Sequence, residues 1–187
     1  MNSEPEGLEI KLTKFLFKTV SKPVYKNFAD KIKLEGREQV LDFGAGMGTV
    51  AYFIAKRLNK GRLTCNNISG KWMIELKKNL RGFSNVEPLF GEIYSIGLEP
   101  ATFDVVYSHF SLNRVSENDL DRVISHLVLL MKPDAKMYIR EPMDNPEALE
   151  NLLSQLKDSG LELESSQEVL VPFMGRAFDA VFTKKLI

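Results

Sequence analysis

The chain predicts an α/β domain: a doubly wound, mostly parallel sheet with helices on both faces. Three observations predict it. In residues 39–60, QVLDFGAGMGTVAYFIAKRLNK, an apolar strand pattern runs through closely spaced glycines into a helical pattern. Strand and helix patterns then alternate as far as Gly160, which is how parallel sheets are built. The last two strand patterns have no helical pattern between them, so one antiparallel strand closes the sheet.

Before the glycine stretch, residues 1–7 read as frayed. Leu8, Leu12, Phe15, Leu16 and Val20 then recur at helical spacing. Pro23 interrupts, and a second short helix is predicted over residues 24–34, with Tyr25, Phe28, Ala29 and Ile32 inward. Lys11, Lys14, Lys18, Lys22, Lys26, Lys31 and Lys33 stud this region. They read as a solvated helix face; the sharper reading is a basic lip that draws in an anionic substrate.

In the glycine stretch, Val40-Leu41 is followed by an acid, Asp42, and by Gly44, Gly46 and Gly48 at alternating positions. Val50, Phe53, Ile54 and Leu58 share one face of the helix that follows. A second strand is predicted over residues 62–66 and a helix over 72–80, with Met73, Leu76 and Leu80 inward. Residues 85–90 form a third strand, and Pro88 places it at an edge. Residues 102–108 (TFDVVYS) are a fourth, nearly all apolar. Ser116 or Asn118 caps a helix through Val123, Leu127 and Leu130 that stops before Pro133. The fifth strand covers 136–140. A helix over 146–159 starts at a proline and ends at Gly160. Residues 161–170 and 176–183 complete the strands.

At 187 residues and 44% hydrophobic, the chain predicts one domain with a full core, residues 1–187. Lys plus Arg balances Asp plus Glu at 25 each, which points to neither nucleic acid nor membrane as an obligate partner. A single cysteine, Cys65, forms no internal disulfide and reads as inert core. No His, Cys and acid cluster has ligand spacing, so no metal is predicted. The N-terminus is polar and acidic, and no apolar run nears the roughly 18 residues of a membrane span, so a cytoplasmic location is expected.

Glycine permits positive φ and close approach of the backbone to a ligand, beside the free N–H groups of a helix N-terminus. A dinucleotide fingerprint wants G-x-G-x-x-G, but Thr49 stands where its third glycine would fall. Asp42 also opposes a pyrophosphate, which it would repel. A cationic ligand would be attracted, and S-adenosylmethionine carries an ammonium and a sulfonium. A nicotinamide-dependent oxidoreductase is the disfavoured alternative.

VLDFGAGMG resembles the first motif of the Rossmann-like S-adenosylmethionine-dependent methyltransferases, especially their type 11 or ubiquinone-biosynthesis-like group. Asn67-Ile68-Ser69 resembles the family's D-x-S after strand two, and Gly91-Glu92-Ile93 its G-D-A after strand three. Phe103-Asp104-Val105-Val106 matches F-D-x-V on strand four. Leu130 to Ala135 resembles the L-K-P-G-G turn before strand five. These matches run in the family's order over about residues 36 to 145.

The resemblance implies seven strands in the order 3-2-1-4-5-7-6, with a helical lid over residues 1–35 and the Rossmann-like core over 36–187. It implies methyl transfer to a small-molecule acceptor. Asp42 and the backbone of Gly44, Ala45, Gly46 and Gly48 would face the methionine part of S-adenosylmethionine. Asn67 would face the ribose, Ile68 would pack on adenine, and Glu92 would accept from the adenine amine with Ile93 beside it. Ser108 and His109 would border the methyl group, and His109 is the candidate general base by its titration range. Asp104, His126, Tyr25 and Tyr107 read as structural. Three departures stand out: Asn67 replaces the usual acid, Asp134-Ala135 replaces a glycine pair, and the last third holds no acceptor motif. The first and the last keep open a catalytically silent relative that binds or regulates; the second touches only the turn. An acid at 67 accepts from both ribose hydroxyls, so Asn67→Asp is expected from sequence to tighten cofactor binding.

Overall fold

The protein is seen in a computed structural model that describes residues 22–185. The helix expected over residues 8–20, with Lys11, Lys14 and Lys18, lies outside the described residues. The elements run α1 (Lys22–Lys31), β1 (Gln39–Phe43), α2 (Ala51–Ala55), β2 (Arg62–Asn67), α3 (Gly70–Leu80), β3 (Val86–Phe90) and β4 (Phe103–His109). They continue with α4 (Glu117–Leu130), β5 (Met131–Pro142), α5 (Pro146–Asp158), β6 (Leu161–Val171) and β7 (Gly175–Lys184). Short 3-10 turns at Ile93–Ser95 and Leu112–Arg114 follow β3 and β4.

The strands form one sheet in the order β3-β2-β1-β4-β5-β7-β6, the order the resemblance implies. β1 pairs in parallel with β2 and β4, β2 with β3, and β4 with β5. β7 runs antiparallel to both β5 and β6 and is the reversed strand. Pro88 sits in edge strand β3, where a missing N–H costs no ladder bond.

Period-two alternation sends side chains to two cores. Val40, Leu63, Val105, Tyr107 and Tyr138 pack under α1, α2 and α3, against Phe28, Ile32, Ile54, Leu58, Leu76 and Leu80. Leu41, Phe43, Val106, Met137 and Ile139 face the other way, against Leu120, Ile124 and Leu127 of α4 and Leu152 and Leu156 of α5. Cys65 is buried in the first core, and burial holds its thiol well above its ordinary pKa. His126 lies half-buried on α4, away from the strand ends that matter below.

Three local readings change. The helix after the glycines is regular only over Ala51–Ala55. It closes on tighter bonds, Arg57 N–H to Ile54 O at 2.9 Å, while the Asn85 amide takes the carbonyls of Ala55 and Leu58 at 2.9 and 2.7 Å. β5 begins at Met131, not at 136. Phe103 pairs with Met131 and Val105 with Lys136, so residues 132–135 bulge out, and Asp134 takes a left-handed φ of 60°. Asp104 anchors this corner, accepting from the Gln39 N–H at 2.8 Å and from Lys132 Nζ at 2.6 Å. At α4 the N-cap is Ser116, whose hydroxyl bonds Asp119 Oδ2 at 2.5 Å and no backbone N–H.

Candidate functional site

The winding reverses between β1 and β4, and in such sheets ligands bind at the carboxyl ends of the strands there. A cavity of about 230 Å³ opens at that point. One side is built by Asp42 and Gly44, Ala45, Gly46, Met47 and Thr49 of the glycine loop, with Asn67, Ile68, Ser69 and Trp72 from the β2–α3 junction. The other side is Tyr25 of α1, His109, Phe110, Ser111 and Arg114 after β4, and Met174 from the β6–β7 turn.

The glycine loop is pinned from three directions. Ser111 Oγ donates to Gly44 O at 3.0 Å, the Asn67 amide to Gly46 O at 3.0 Å, and the Asn79 amide to Met47 O at 3.0 Å. The Ala45 N–H donates to Asn66 O at 3.0 Å. Gly44 and Gly46 have φ of 71° and 54°, which favours glycine at both. Their surroundings differ. A Cβ at Gly44 would lie 2.4 Å from Ser111 Cβ, whereas one at Gly46 would meet no atom within 4 Å. Gly46 therefore borders room that protein atoms leave open.

Asp42 is buried, with one oxygen taking the Tyr107 hydroxyl at 2.7 Å. Burial pushes its carboxyl up to about 7, and the Tyr107 bond works against that rise.

Of the other expected site residues, Asn67 and Ile68 line the cavity, but the Asn67 side chain has an additional duty. Its Nδ2 holds Gly46 O while its Oδ1 accepts the Ser69 N–H at 3.3 Å, which fixes the amide orientation. Gly48 does not line the cavity; a Cβ there would press on Leu80. Ile93 is corrected to core, buried among Leu41, Phe43 and Leu112. Ser108 is corrected likewise: its buried hydroxyl donates to Glu141 Oε1 at 3.1 Å, away from the cavity. Glu92 lies past the end of β3, outside the cavity, where the Gly91 N–H reaches Asn67 O at 3.0 Å.

His109 does line the cavity, hemmed by rings: Phe110 at 4.7 Å, Phe28 at 4.9 Å and Tyr25 at 5.3 Å between centroids. Its Nε2 is buried with no hydrogen-bond partner. Burial, and then the Arg140 cation, push the imidazole down to about 3. That corrects the expectation of a base titrating near neutrality: the ring is a neutral wall. Arg140 is itself buried and held by Asp179 at 2.6 and 2.8 Å, with Phe28 5.0 Å beneath it.

The sequence reading missed Glu141. This buried carboxylate, at the end of β5, accepts from Ser108 Oγ and from the N–H groups of Ser111, Leu112 and Asn113 at 3.1 to 3.3 Å. It shapes the turn after β4, and Ser111 carries that order on to Gly44. Burial pushes Glu141 up to about 7 against those four donors. The available signal was an acid ending an apolar strand, the pattern that drew notice to Asp42.

A larger groove of about 450 Å³ lies on the α1 side of β5, β7 and β6, lined in part by Lys31, Lys33, Lys136 and Asp179. Lys31 is 2.6 Å from Asp179 and Lys136 pairs with Glu164, so much of its charge is neutralised internally. Lys26 likewise pairs with Asp30. Among the described residues no group of three His, Cys, Asp or Glu side chains could hold a metal ion. No helix among them is long and apolar enough to cross a membrane.

A doubly wound sheet with an open glycine cradle beside a buried acid at its switch point is an arrangement that suits a nucleotide-type ligand. The family profile described as "Methyltransferase domain" matches residues 40–134, which span this site. The chain belongs to that family of Rossmann-like, S-adenosylmethionine-dependent methyltransferases. A glycine/sarcosine/dimethylglycine N-methyltransferase of Actinopolyspora halophila is 27% identical over 153 residues, covering 79% of this chain but only 26% of that relative. The chain thus spans about a quarter of that protein's length. A SAM-dependent methyltransferase from Aquifex aeolicus superposes with a TM-score of 0.72 at 22% identity, covering 92% of this chain and 96% of that one. The cyclase SpnF superposes with a TM-score of 0.74 at 18% identity, covering 89% and 82%. At these identities the two structures speak for the fold alone.

Proposed function

We propose that this chain transfers a methyl group from S-adenosylmethionine to a small-molecule amine. The observation that carries the reading is the empty space over Gly46, bordered by Asp42, in a chain of this family. The cradle fits an uncharged or cationic ligand at closest approach, and Asp42 suits an ammonium. When bound, the cofactor supplies a methyl group on a sulfonium, already a good leaving arrangement. Asp42 and the Gly44–Met47 backbone would hold the methionine part, Asn67 and Ile68 the nucleoside, and Glu92 the adenine end. Helix α1, which contributes Tyr25 to the wall, supports reading residues 22–35 as part of a cover for the site.

The chain's own work is to position the acceptor and exclude water. With His109 buried and its pKa lowered, and with Asp42 given to the cofactor's ammonium, the acceptor side offers no base suited to stripping a hydroxyl. A neutral amine needs none before it attacks, which favours nitrogen as the acceptor atom. The N-methyltransferase relative is consistent with that choice. Family membership sets the nicotinamide reading aside. A second reading, a relative that binds cofactor without transferring methyl, draws on the cyclase SpnF, whose name gives this fold another chemistry. Calorimetric titration with S-adenosylhomocysteine, then turnover on an amine panel, separates the three outcomes. No binding removes the proposal, and binding without turnover on any amine favours the second reading.

Two expected results follow from the site. Ionised Asp42 binds an ammonium better than its protonated form does. Since its pKa is raised to about 7, S-adenosylhomocysteine affinity should rise as pH climbs from 5.5 toward 7.5, then level off. The slope below 7 approaches about tenfold per pH unit. Asp42→Asn should flatten it; a pH-independent affinity in the wild type would remove Asp42 from the site.

The geometry also reverses the expectation for Asn67→Asp. A carboxylate cannot donate to Gly46 O and would set a negative oxygen about 3 Å from it. Breaking that buried bond costs about 1–2 kcal/mol, so affinity for S-adenosylhomocysteine should fall roughly tenfold. Tighter binding in the variant would show that the ribose outweighs the loop.

A further inference from the structure

On the acceptor side of the cavity Arg114 is the one charged residue, and the Ser111 hydroxyl is given to Gly44 O. Tyr25, His109, Phe110 and Met174 present rings and a thioether, and Arg114 stands at the rim. Asp42, on the cofactor side, is the other charged lining residue. Arg37, Arg57, Arg62, Arg122, Arg140 and Arg176 each hold an acid, a carbonyl or a ring. Among the described residues Arg81 and Arg114 have no such partner, and of these two only Arg114 lines this cavity.

Nor is Arg114 on a slack loop. It ends the 3-10 turn Leu112–Arg114, whose Leu112 and Asn113 N–H groups are fixed by buried Glu141. Its own N–H returns to Ser111 O at 3.2 Å. Phe110, one turn earlier, is held at a φ of 55° by its N–H bond to Arg140 O at 2.8 Å. A bulky residue is rarely found in that left-handed region, and such strain gathers where a side chain must be aimed. The backbone thus presents a ring and a guanidinium at fixed places on one wall.

We propose that the acceptor has a ring-sized apolar body and a carboxylate, and that Arg114 is the residue that selects for the carboxylate. The proposal rests on the methyltransferase reading for the name of the ligand as acceptor. A guanidinium pairs with a carboxylate through two parallel N–H bonds, a geometry that lysine matches only as a point charge. The Tyr25, His109 and Phe110 rings on the same side suit a flat apolar body.

The test uses 4-aminobenzoate, anthranilate and N-methylanthranilate, each beside its methyl ester, in calorimetry with saturating S-adenosylhomocysteine. The wild type should bind at least one acid about tenfold tighter than its ester. Arg114→Gln should abolish that preference and Arg114→Lys restore part of it, with S-adenosylhomocysteine affinity unchanged in both. Equal affinity for every acid and ester in the wild type, or no binding of any, overturns the proposal. So does a matching loss of S-adenosylhomocysteine affinity in Arg114→Gln, which would assign the guanidinium to the cofactor's own carboxylate. If the wild type fails to bind S-adenosylhomocysteine, the methyltransferase reading falls. The acid–ester comparison, repeated without it, still decides Arg114.

Discussion

Gly46→Val is expected to reduce S-adenosylhomocysteine affinity at least about 100-fold while the protein stays folded. The new Cβ would meet no protein atom within 4 Å, so the fold loses no packing. A branched residue at a φ of 54° carries backbone strain of about 1–3 kcal/mol, so the melting temperature should fall by several degrees. The branched side chain would occupy the space assigned to the ligand. Gly44→Ala makes the contrast. Its Cβ would sit 2.4 Å from Ser111 Cβ and Oγ, so stability is lost first and binding with it. Paired melting curves and titrations of the two variants check the assignment. Unchanged affinity in Gly46→Val would place the ligand elsewhere.

Glu141→Ala should be the most destabilising change near the site. It strips the partner from the Ser108 hydroxyl and from three buried or half-buried N–H groups at once. Unsatisfied buried donors cost about 1–3 kcal/mol each, partly offset by removing a buried carboxyl, so a net loss of about 3 kcal/mol is expected. For a domain of this size that lowers the melting temperature by roughly 6–12 °C. Glu141→Gln keeps an acceptor oxygen and should cost about 1 kcal/mol. The two differ in pH response as well. Because the folded state holds the Glu141 proton up to about 7, against an ordinary value of 4.5, its contribution to stability declines as pH rises between those values. Glutamine removes that decline. His109 acts in the opposite sense: its pKa is lowered to about 3, so it withdraws stability as pH falls from 6.5 toward 3. Melting curves from pH 4 to 8 distinguish the two slopes.

Local pattern explains why so much of the sheet was readable. Val40-Leu41, Val105-Val106 and the glycines after Asp42 mark strands and their turn within a few residues of sequence. Their alternation sorts the side chains onto two cores. The placing of β7 between β5 and β6 is another matter. No periodicity encodes a strand's neighbours, and that part of the order came from motifs in register. The site divides in the same way. Asp42, Gly46 and Asn67 were visible because turn chemistry is local. Met174 reaches the cavity through a distant hairpin, and Arg114 through a turn set by Glu141, so neither had a nearby signal. Ser108 pointed the wrong way because its partner stands on the next strand. His109 looked like a base until Arg140 and three rings, two of them Tyr25 and Phe28 of α1, fixed its surroundings.

The placing of β7 also sets a schedule. On the ribosome β6 emerges before β7, yet in the sheet β6 pairs with β7 alone. Until β7 arrives, β6 has no strand to join and β5 shows an open edge, two templates for pairing with the wrong chain. Glu162, Glu164 and Glu168 are spread along the waiting strand, and charge of one sign keeps such a segment in water and away from copies of itself. A chain cut between residues 171 and 184 would therefore leave the glycine loop's side of the sheet able to form, with its far edge unsealed.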